Sequence, residues 1–520
     1  MIHPRRLADW LLVVLFPCAL GTTLATLAVR GIPPVRPLPE ERMSYALPDP
    51  PSDLRSLGAY SGRFERWFED NLVGRSRLLE ARSRLLVNVF DASPTPNVYL
   101  GRDRWVFLSE ARQLDVQRGV APFAPNELDA WAGAIRARAN WCAARGMTYV
   151  FALAPDKTDV YPERHAHAIE RLGPTRFDQL AERLADERAF LDLRPVLRRE
   201  KERDRDGDHA YFPYGSHWTD RGATAGTNAI LERIARDSRF TTIAPFRDDD
   251  LILEPEGIEG DSWAARLYLR GVLVQRERAI GAIRGTAPVV LEGQGDDSAR
   301  NVSRLDDATL PRVLALHDSF GIPLYKFLSR RASRCVFLRG DAFRPEVIES
   351  EAPDVVLEIL CERVLFFPPV ENLPEQARSS ESGFESAARV VRTLDPVRDA
   401  PVLASRPDVT AVLEDGGVRI AWNRDSALAR VPDEFAPRGT PVLARFDVEV
   451  DRAGELLLFY LTPEQTTYTR SRMITRPLAP GTNRVYVDLD VPGLRGPLLF
   501  RASARGTSFV LRGLETRAAR

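Results

Sequence analysis

Cysteine is scarce in this chain. The four at positions 18, 142, 335 and 361 form no CxxC or Cys/His cluster, which argues against a dense disulfide framework and supplies no zinc-ligand spacing. Neither sign of charge predominates: 72 Lys plus Arg stand against 73 Asp plus Glu, for a formal net charge of -1. The global electrostatic footprint of a nucleic-acid binder is therefore missing. Long apolar runs are missing too, apart from one near the N-terminus, and this excludes a polytopic membrane protein. What remains is a globular composition, with 44% hydrophobic, 28% charged and 8% aromatic residues and a mean hydropathy of -0.24. At 520 residues the chain exceeds one hydrophobic core, and two to four domains are expected.

The single apolar run, Trp10 to Val29, carries no charge after Asp9 and has about the 20 residues that cross a bilayer core as a helix. Arg5 and Arg6 precede it, so the positive-inside tendency keeps them cytoplasmic and sends the rest outward. The expectation is a single-pass bacterial inner-membrane protein with its bulk in the periplasm, residues 1–30 being the anchor. A cleaved signal peptide, with Ala25 or Ala28 near the cleavage site, is the competing reading. Residues 31–59 hold prolines at 33, 34, 37, 39, 48, 50 and 51 and read as a stiff spacer.

Beyond the spacer, apolar residues three and four apart predict helix from about Tyr60 to Asn88, and PNVYLGRDRWVFL reads as a hairpin turning at Gly101-Arg102-Asp103. From about Asn126 helical and strand patterns alternate. TYVFALAP, RVLALHDSFG, CVFLRG and DVVLEIL are short apolar strands among amphipathic stretches, and a mostly parallel sheet flanked by helices accommodates them. Residues 245–310 are polar and irregular, an insertion over one edge. Residues 60–395 thus form an α/β unit. From 396 to 520, short alternating runs punctuated by Gly, Pro, Asp and Asn predict an all-β sandwich, an architecture often associated with sugar binding.

Two strings carry chemistry. Val313-Leu-Ala-Leu-His-Asp-Ser-Phe-Gly321 delivers Ser319 from an apolar strand into a sharp turn, which exposes a hydroxyl at the carboxyl edge of the sheet beside a backbone N–H suited to an oxyanion. Asp318 or Ser319 also reads as an ordinary helix cap. Tyr211-Phe-Pro-Tyr-Gly-Ser-His-Trp-Thr-Asp220 places His217, one of only six histidines, in a loop before a helix, where it is available as a base. Ser and His together are the minimal nucleophile and base. Gly260-Asp261-Ser262 offers a rival nucleophile in Ser262, but no apolar strand precedes it. Lys157 and Tyr161, which follow the strand Tyr149 to Leu153, fall at the sheet edge where ligands of open α/β sheets bind, and with Trp218 they are candidate substrate contacts. A solvated loop explains Asp156 and Lys157 equally well.

YGSHWTDRGA and LALHDSFG, with APDKTDVYPE at 154–163 and PDVVLEILCER at 353–363, together resemble the alginate O-acetyltransferase family over about residues 90–370. The resemblance implies an SGNH-hydrolase-like domain with Ser319 as nucleophile and His217 as base. It also implies a polysaccharide acceptor and an acetyl donor supplied through a separate membrane protein. No cofactor and no metal are implied. One position departs from the family: Gly215 stands where an Asp usually precedes the His by two residues. That Asp would orient the imidazole. Asp318, Asp220, Asp208 and Asp206 are candidate replacements, and a Ser–His dyad held by a backbone carbonyl is an alternative. The activity expected is acetyl transfer to hydroxyls of an exported polysaccharide. An acetyl esterase of the same fold and a non-catalytic polysaccharide-binding scaffold are the other readings.

Overall fold

Three apolar runs, TYVFALA, RVLALH and VVLEILC, make the centre of a sheet buried on both faces. In the computed structural model they are β3 (Thr148–Ala154), β6 (Arg312–His317) and β8 (Val355–Cys361), following a small hairpin of β1 (Val98–Leu100) and β2 (Val106–Leu108). The structure describes residues 13, 17–18, 21–38, 43–51, 56–109, 113–165, 170–260, 262–285, 292, 300–340, 343–367, 369, 374–406, 408–422, 427–437, 441–461, 468, 473–489, 495–502 and 508–518. With β4 (Phe190–Asp192), β5 (Arg300–Arg304) and β7 (Arg334–Arg339), the sheet order is β4-β3-β8-β6-β7-β5. All pairs are parallel except β5 with β7.

Successive side chains of a strand point to opposite faces, and each face has its own core. Val150, Ala152, Val313, Ala315, Leu357 and Ile359 pack with Ile230, Leu231 and Ile234 of helix α2 (Asp220–Asp237). Phe151, Leu153, Leu314, Leu316, Val356 and Leu360 pack with Trp131, Ile135 and Trp141 of helix α1 (Pro125–Ala143). Register pairs Cys361 with Ala154 and Ile359 with His317, so the segments that follow β3, β6 and β8 emerge side by side at one edge. Functional sites of parallel sheets are built there.

Several local expectations change. Helix does not run unbroken from 60 to 88: Ser56–Asn71 and Arg75–Val89 are separate, divided at Gly74, which is left-handed at φ 79. The stretch 245–310 is not all irregular. Residues 300–304 form the antiparallel edge strand β5, and Leu251–Leu253 pairs with Ile280–Ile283. The inward residues of β5 include Asn301 and Ser303, both buried, so no apolar alternation announced it. Most of the expected span from Trp10 to Val29 lies outside the described residues; 21–30 are helical, and no helix among the described residues is long and apolar enough to cross a membrane.

The C-terminal region is extensively β. Antiparallel strands Val409–Glu414, Gly417–Trp422, Phe509–Ala518, Val442–Val450 and Gly481–Leu489 form one sheet, and Ala429–Arg430, Arg495–Ala502, Gly454–Leu461 and Met473–Leu478 another. Val442, Phe446, Leu458, Phe500 and Phe509 of the two sheets meet in one core. Val390–Thr393 also pairs with Phe509–Ala518, and Phe384 of helix Pro374–Ser386 packs on Leu443 and Tyr486.

Candidate active site

The string that carries His217 folds back on itself. Phe212 N–H donates to His217 O at 3.1 Å and Thr219 N–H to Ala210 O at 3.0 Å, so residues 210–219 form a tight return. Trp218 is fully buried and its indole N–H donates to Phe320 O at 3.1 Å. Its ring is seated over α2 because Gly222 and Gly226 carry no side chains: a Cβ at 226 would meet the indole at 2.9 Å, and one at 222 would meet Ala210 O at 2.3 Å. The neighbouring His217, only partly buried, is thereby held toward the end of β6.

The turn after β6 is built around its own side chains. Asp318 Oδ1 accepts from Phe320 N at 2.8 Å and Oδ2 from Cys361 N at 2.7 Å, tying the ends of β6 and β8 together. His317 is buried, with Nδ1 on Asp318 O at 2.6 Å and Nε2 on the Tyr325 hydroxyl at 2.9 Å. Burial lowers its pKa to about 4 because desolvation disfavours the imidazolium. Gly321 is needed beside it, since a Cβ there would lie 2.3 Å from the His317 side chain.

These two constructions bring Ser319 and His217 together. Nε2 of His217 stands 2.8 Å from Oγ of Ser319, a nucleophile–base distance. Both line a cavity of about 650 Å³, with Phe212, Ile322, Tyr325 and Lys326 among its walls. Nδ1 of His217 has Ser216 Oγ at 3.4 Å, and the Phe320 ring lies 5.0 Å from the imidazole, centroid to centroid.

The other expected site residues are placed differently. Lys157 and Tyr161 are 3% and 1% exposed and do not line the cavity that holds Ser319 and His217. The Lys157 ammonium donates to the carbonyls of Phe212, Pro213 and Gly215 at 3.0, 2.9 and 2.6 Å. The Tyr161 hydroxyl donates to Asp204 at 2.8 Å and accepts from Ala210 N at 3.0 Å. Trp218 borders the cavity as a buried wall. Asp220 lines the cavity, but its carboxylate takes Lys326 Nζ at 2.6 Å and Ile280 N at 2.8 Å instead of the imidazole. Asp318 spends its oxygens on backbone N–H groups. Asp208 pairs with Arg221 and Arg278 at 3.7 and 3.6 Å, and Asp206 is exposed. Ser262 accepts from Ala264 N at 3.1 Å and does not line the cavity, whereas Gly260 does; Asp261 lies outside the described residues.

An ionic cluster beside the pair was not anticipated. Arg363 is 2.8 Å from Asp156, and its guanidinium lies 5.3 Å from the Phe320 ring centroid. Glu362 accepts from Gln117 Nε2 and Asp156 N, both at 2.8 Å. Burial raises the pKa values of Asp156, Asp318 and Glu362. Arg363 and His217 draw Asp156 and Asp318 back toward ionisation, whereas Asp156 and Asp159 push Glu362 further up. The signal was in the sequence: APDK and LCER each follow an apolar strand ending at the same edge.

A Ser–His pair at the carboxyl edge of a parallel sheet, with the Ser in a turn after its strand, is the arrangement of an SGNH-hydrolase-like α/β domain. Residues 98–250 match the family model described as the SGNH hydrolase-like domain of the acetyltransferase AlgX, in agreement with the resemblance read from the motifs. The matched stretch includes His217 and ends before Ser319. No curated protein matches the chain. Solved structures similar to it include Bacillus cereus PatB1 with a sulfonyl adduct, at 15% identity and a TM-score of 0.39 over 52% of this chain and 95% of that one. The O-acetyltransferase domain of Pseudomonas putida AlgJ aligns at 18% and 0.35 over 60% and 100%. Pseudomonas aeruginosa AlgX aligns at 13% and 0.38 over 81% and 94%.

Proposed function

We propose that this chain transfers acetyl groups to hydroxyls of an exported polysaccharide through an acyl-enzyme on Ser319. The observation that carries the reading is the 2.8 Å approach of His217 Nε2 to Ser319 Oγ at a cavity wall. Oγ attacks the acetyl carbonyl carbon as its proton passes to Nε2, and the leaving group departs with that proton. An acceptor hydroxyl then attacks the Ser319 ester while Nε2 takes its proton, and Ser319 regains one as the product leaves. Phe320 and Gly321 N–H groups are bound to Asp318, and the Ser319 N–H is the donor of this turn assigned to the developing oxyanion. In this reading the segment Trp10 to Val29 anchors the chain in the inner membrane, the bulk lies in the periplasm, and a membrane protein supplies the acetyl donor.

The test is incubation of the purified protein with an acetyl ester, with and without an oligosaccharide acceptor, and identification of products by mass spectrometry. Acetylated sugar that depends on Ser319 is the expected result. Free acetate alone, unaffected by acceptor, makes the protein an esterase. No product with any ester leaves the scaffold reading.

A further inference from the structure

We infer that Lys157 is a positioning residue for His217: its buried ammonium fixes the loop that sets the imidazole against Ser319. The inference rests on the proposed reading of His217 as base. Four consecutive carbonyls of that loop are held from outside it. Lys157 Nζ takes those of Phe212, Pro213 and Gly215 at 3.0, 2.9 and 2.6 Å. Pro213 O also accepts from Val106 N of the hairpin at 2.9 Å, and Tyr214 O accepts from Trp263 N at 2.9 Å. An ammonium has three donors and no acceptor, which matches three converging carbonyls. Removed from water, it also needs compensating partners. Trp105 and Phe107 supply more of that compensation, their ring centroids lying 5.3 and 4.8 Å from Nζ, within cation–π range.

The carbonyl nearest the ammonium belongs to Gly215, two residues before His217. That is the position where the family motif has a carboxylate and this chain has none. Loop geometry here is fixed through the backbone, by a lysine that β3 delivers from the same sheet edge. Hairpin, lysine and loop form a continuous stack ending at the imidazole. A loosened loop changes the Nε2–Oγ approach, and displacement of a reacting group by about 1 Å lowers rates by about a hundredfold.

The experiment compares the full-length protein with Lys157→Gln, a shorter neutral donor, and Phe107→Leu, which keeps the lysine and removes one ring. Turnover of p-nitrophenyl acetate gives kcat and KM. Labelling by phenylmethanesulfonyl fluoride, read by mass at the Ser319 peptide, gives the reactivity of the serine and the fraction of competent sites. For Lys157→Gln we expect kcat and the labelling rate to fall together by about ten- to hundredfold per competent site, with KM within about twofold. Phe107→Leu should give a smaller fall in the same two rates, and it decides the matter if Lys157→Gln does not fold. Rates per competent site equal to wild type, whatever happens to thermal stability, would overturn the positioning role. If wild-type Ser319 neither labels nor turns over, the Ser319–His217 reading fails instead.

Discussion

Strand β8 carries one buried ionic cluster at its middle and another at its end, and they do different work. At the middle, Glu358 is bound by Arg138 at 3.0 and 3.1 Å and by the Tyr149 hydroxyl, with Arg138 and Glu358 at most 3% exposed. At the end, Asp156, Arg363 and Glu362 gather beside Asp318, with Arg363 2.8 Å from Asp156 and Asp318 on the N–H of Cys361. The first cluster joins α1 and β3 to β8 within the core; the second lies against the Ser319 turn, with Arg363 over the Phe320 ring and Asp318 on the N–H of Phe320. Burial of charge by itself therefore does not mark the candidate site: the cluster beside the Ser319–His217 pair is the one at the carboxyl edge of the sheet.

The largest effect should fall at the edge. Ser319→Ala and His217→Ala should each lower turnover by at least about a thousandfold, with little further loss in the double variant, because members of one catalytic unit are not additive. Thermal melts should change little, since neither side chain fills the core. At the middle of β8 the pattern should reverse. Glu358→Ala leaves Arg138 buried without its carboxylate, and denaturant unfolding should report a loss of about 3–5 kcal/mol. A large stability loss from Ser319→Ala would break the contrast.

His317 sharpens it through pH. Its folded pKa of about 4 lies below the ordinary 6.5, so between these values the unfolded chain binds a proton that the folded chain does not. Its contribution to stability is complete above pH 6.5 and is lost as pH falls through 6.5 toward 4. Wild type should therefore lose roughly 3 kcal/mol more than His317→Gln across that window, as measured by unfolding at each pH. The raised carboxyls titrate in both proteins and cancel in the difference. Asp318→Asn weakens two N–H contacts that set the Ser319 turn, and kcat should fall about tenfold, the equivalent of about 1.4 kcal/mol. The smallest effect is expected from Ser262→Ala, whose hydroxyl serves only a local turn among the described contacts; its activity should stay within about twofold of wild type.

Sequence reading found what local context determines. Ser319 follows an apolar strand into a Gly-containing turn, and His217 sits among residues that demand a tight return, so the meeting of the two at one sheet edge is legible in the sequence. The roles of the acidic candidates are not, because an aspartate's role depends on distant residues: Asp220 is claimed by Lys326, and Asp318 by the N–H of Cys361. The contacts of Lys157 are hidden for the same reason, since its three acceptors lie more than fifty positions along the chain. Strand β5 was hidden by its buried Asn301 and Ser303, and the helix break at Gly74 by apolar spacing on both sides of it.

The central claim is that Ser319 carries the acyl group. It is tested most directly by quenching the protein during turnover of an acetyl ester and locating acetyl groups on its peptides by mass spectrometry. The account predicts one acetyl group on the peptide containing Ser319, appearing before product and disappearing when an oligosaccharide acceptor is added, with none in Ser319→Ala. Acetylated acceptor formed by Ser319→Ala at the wild-type rate would contradict it.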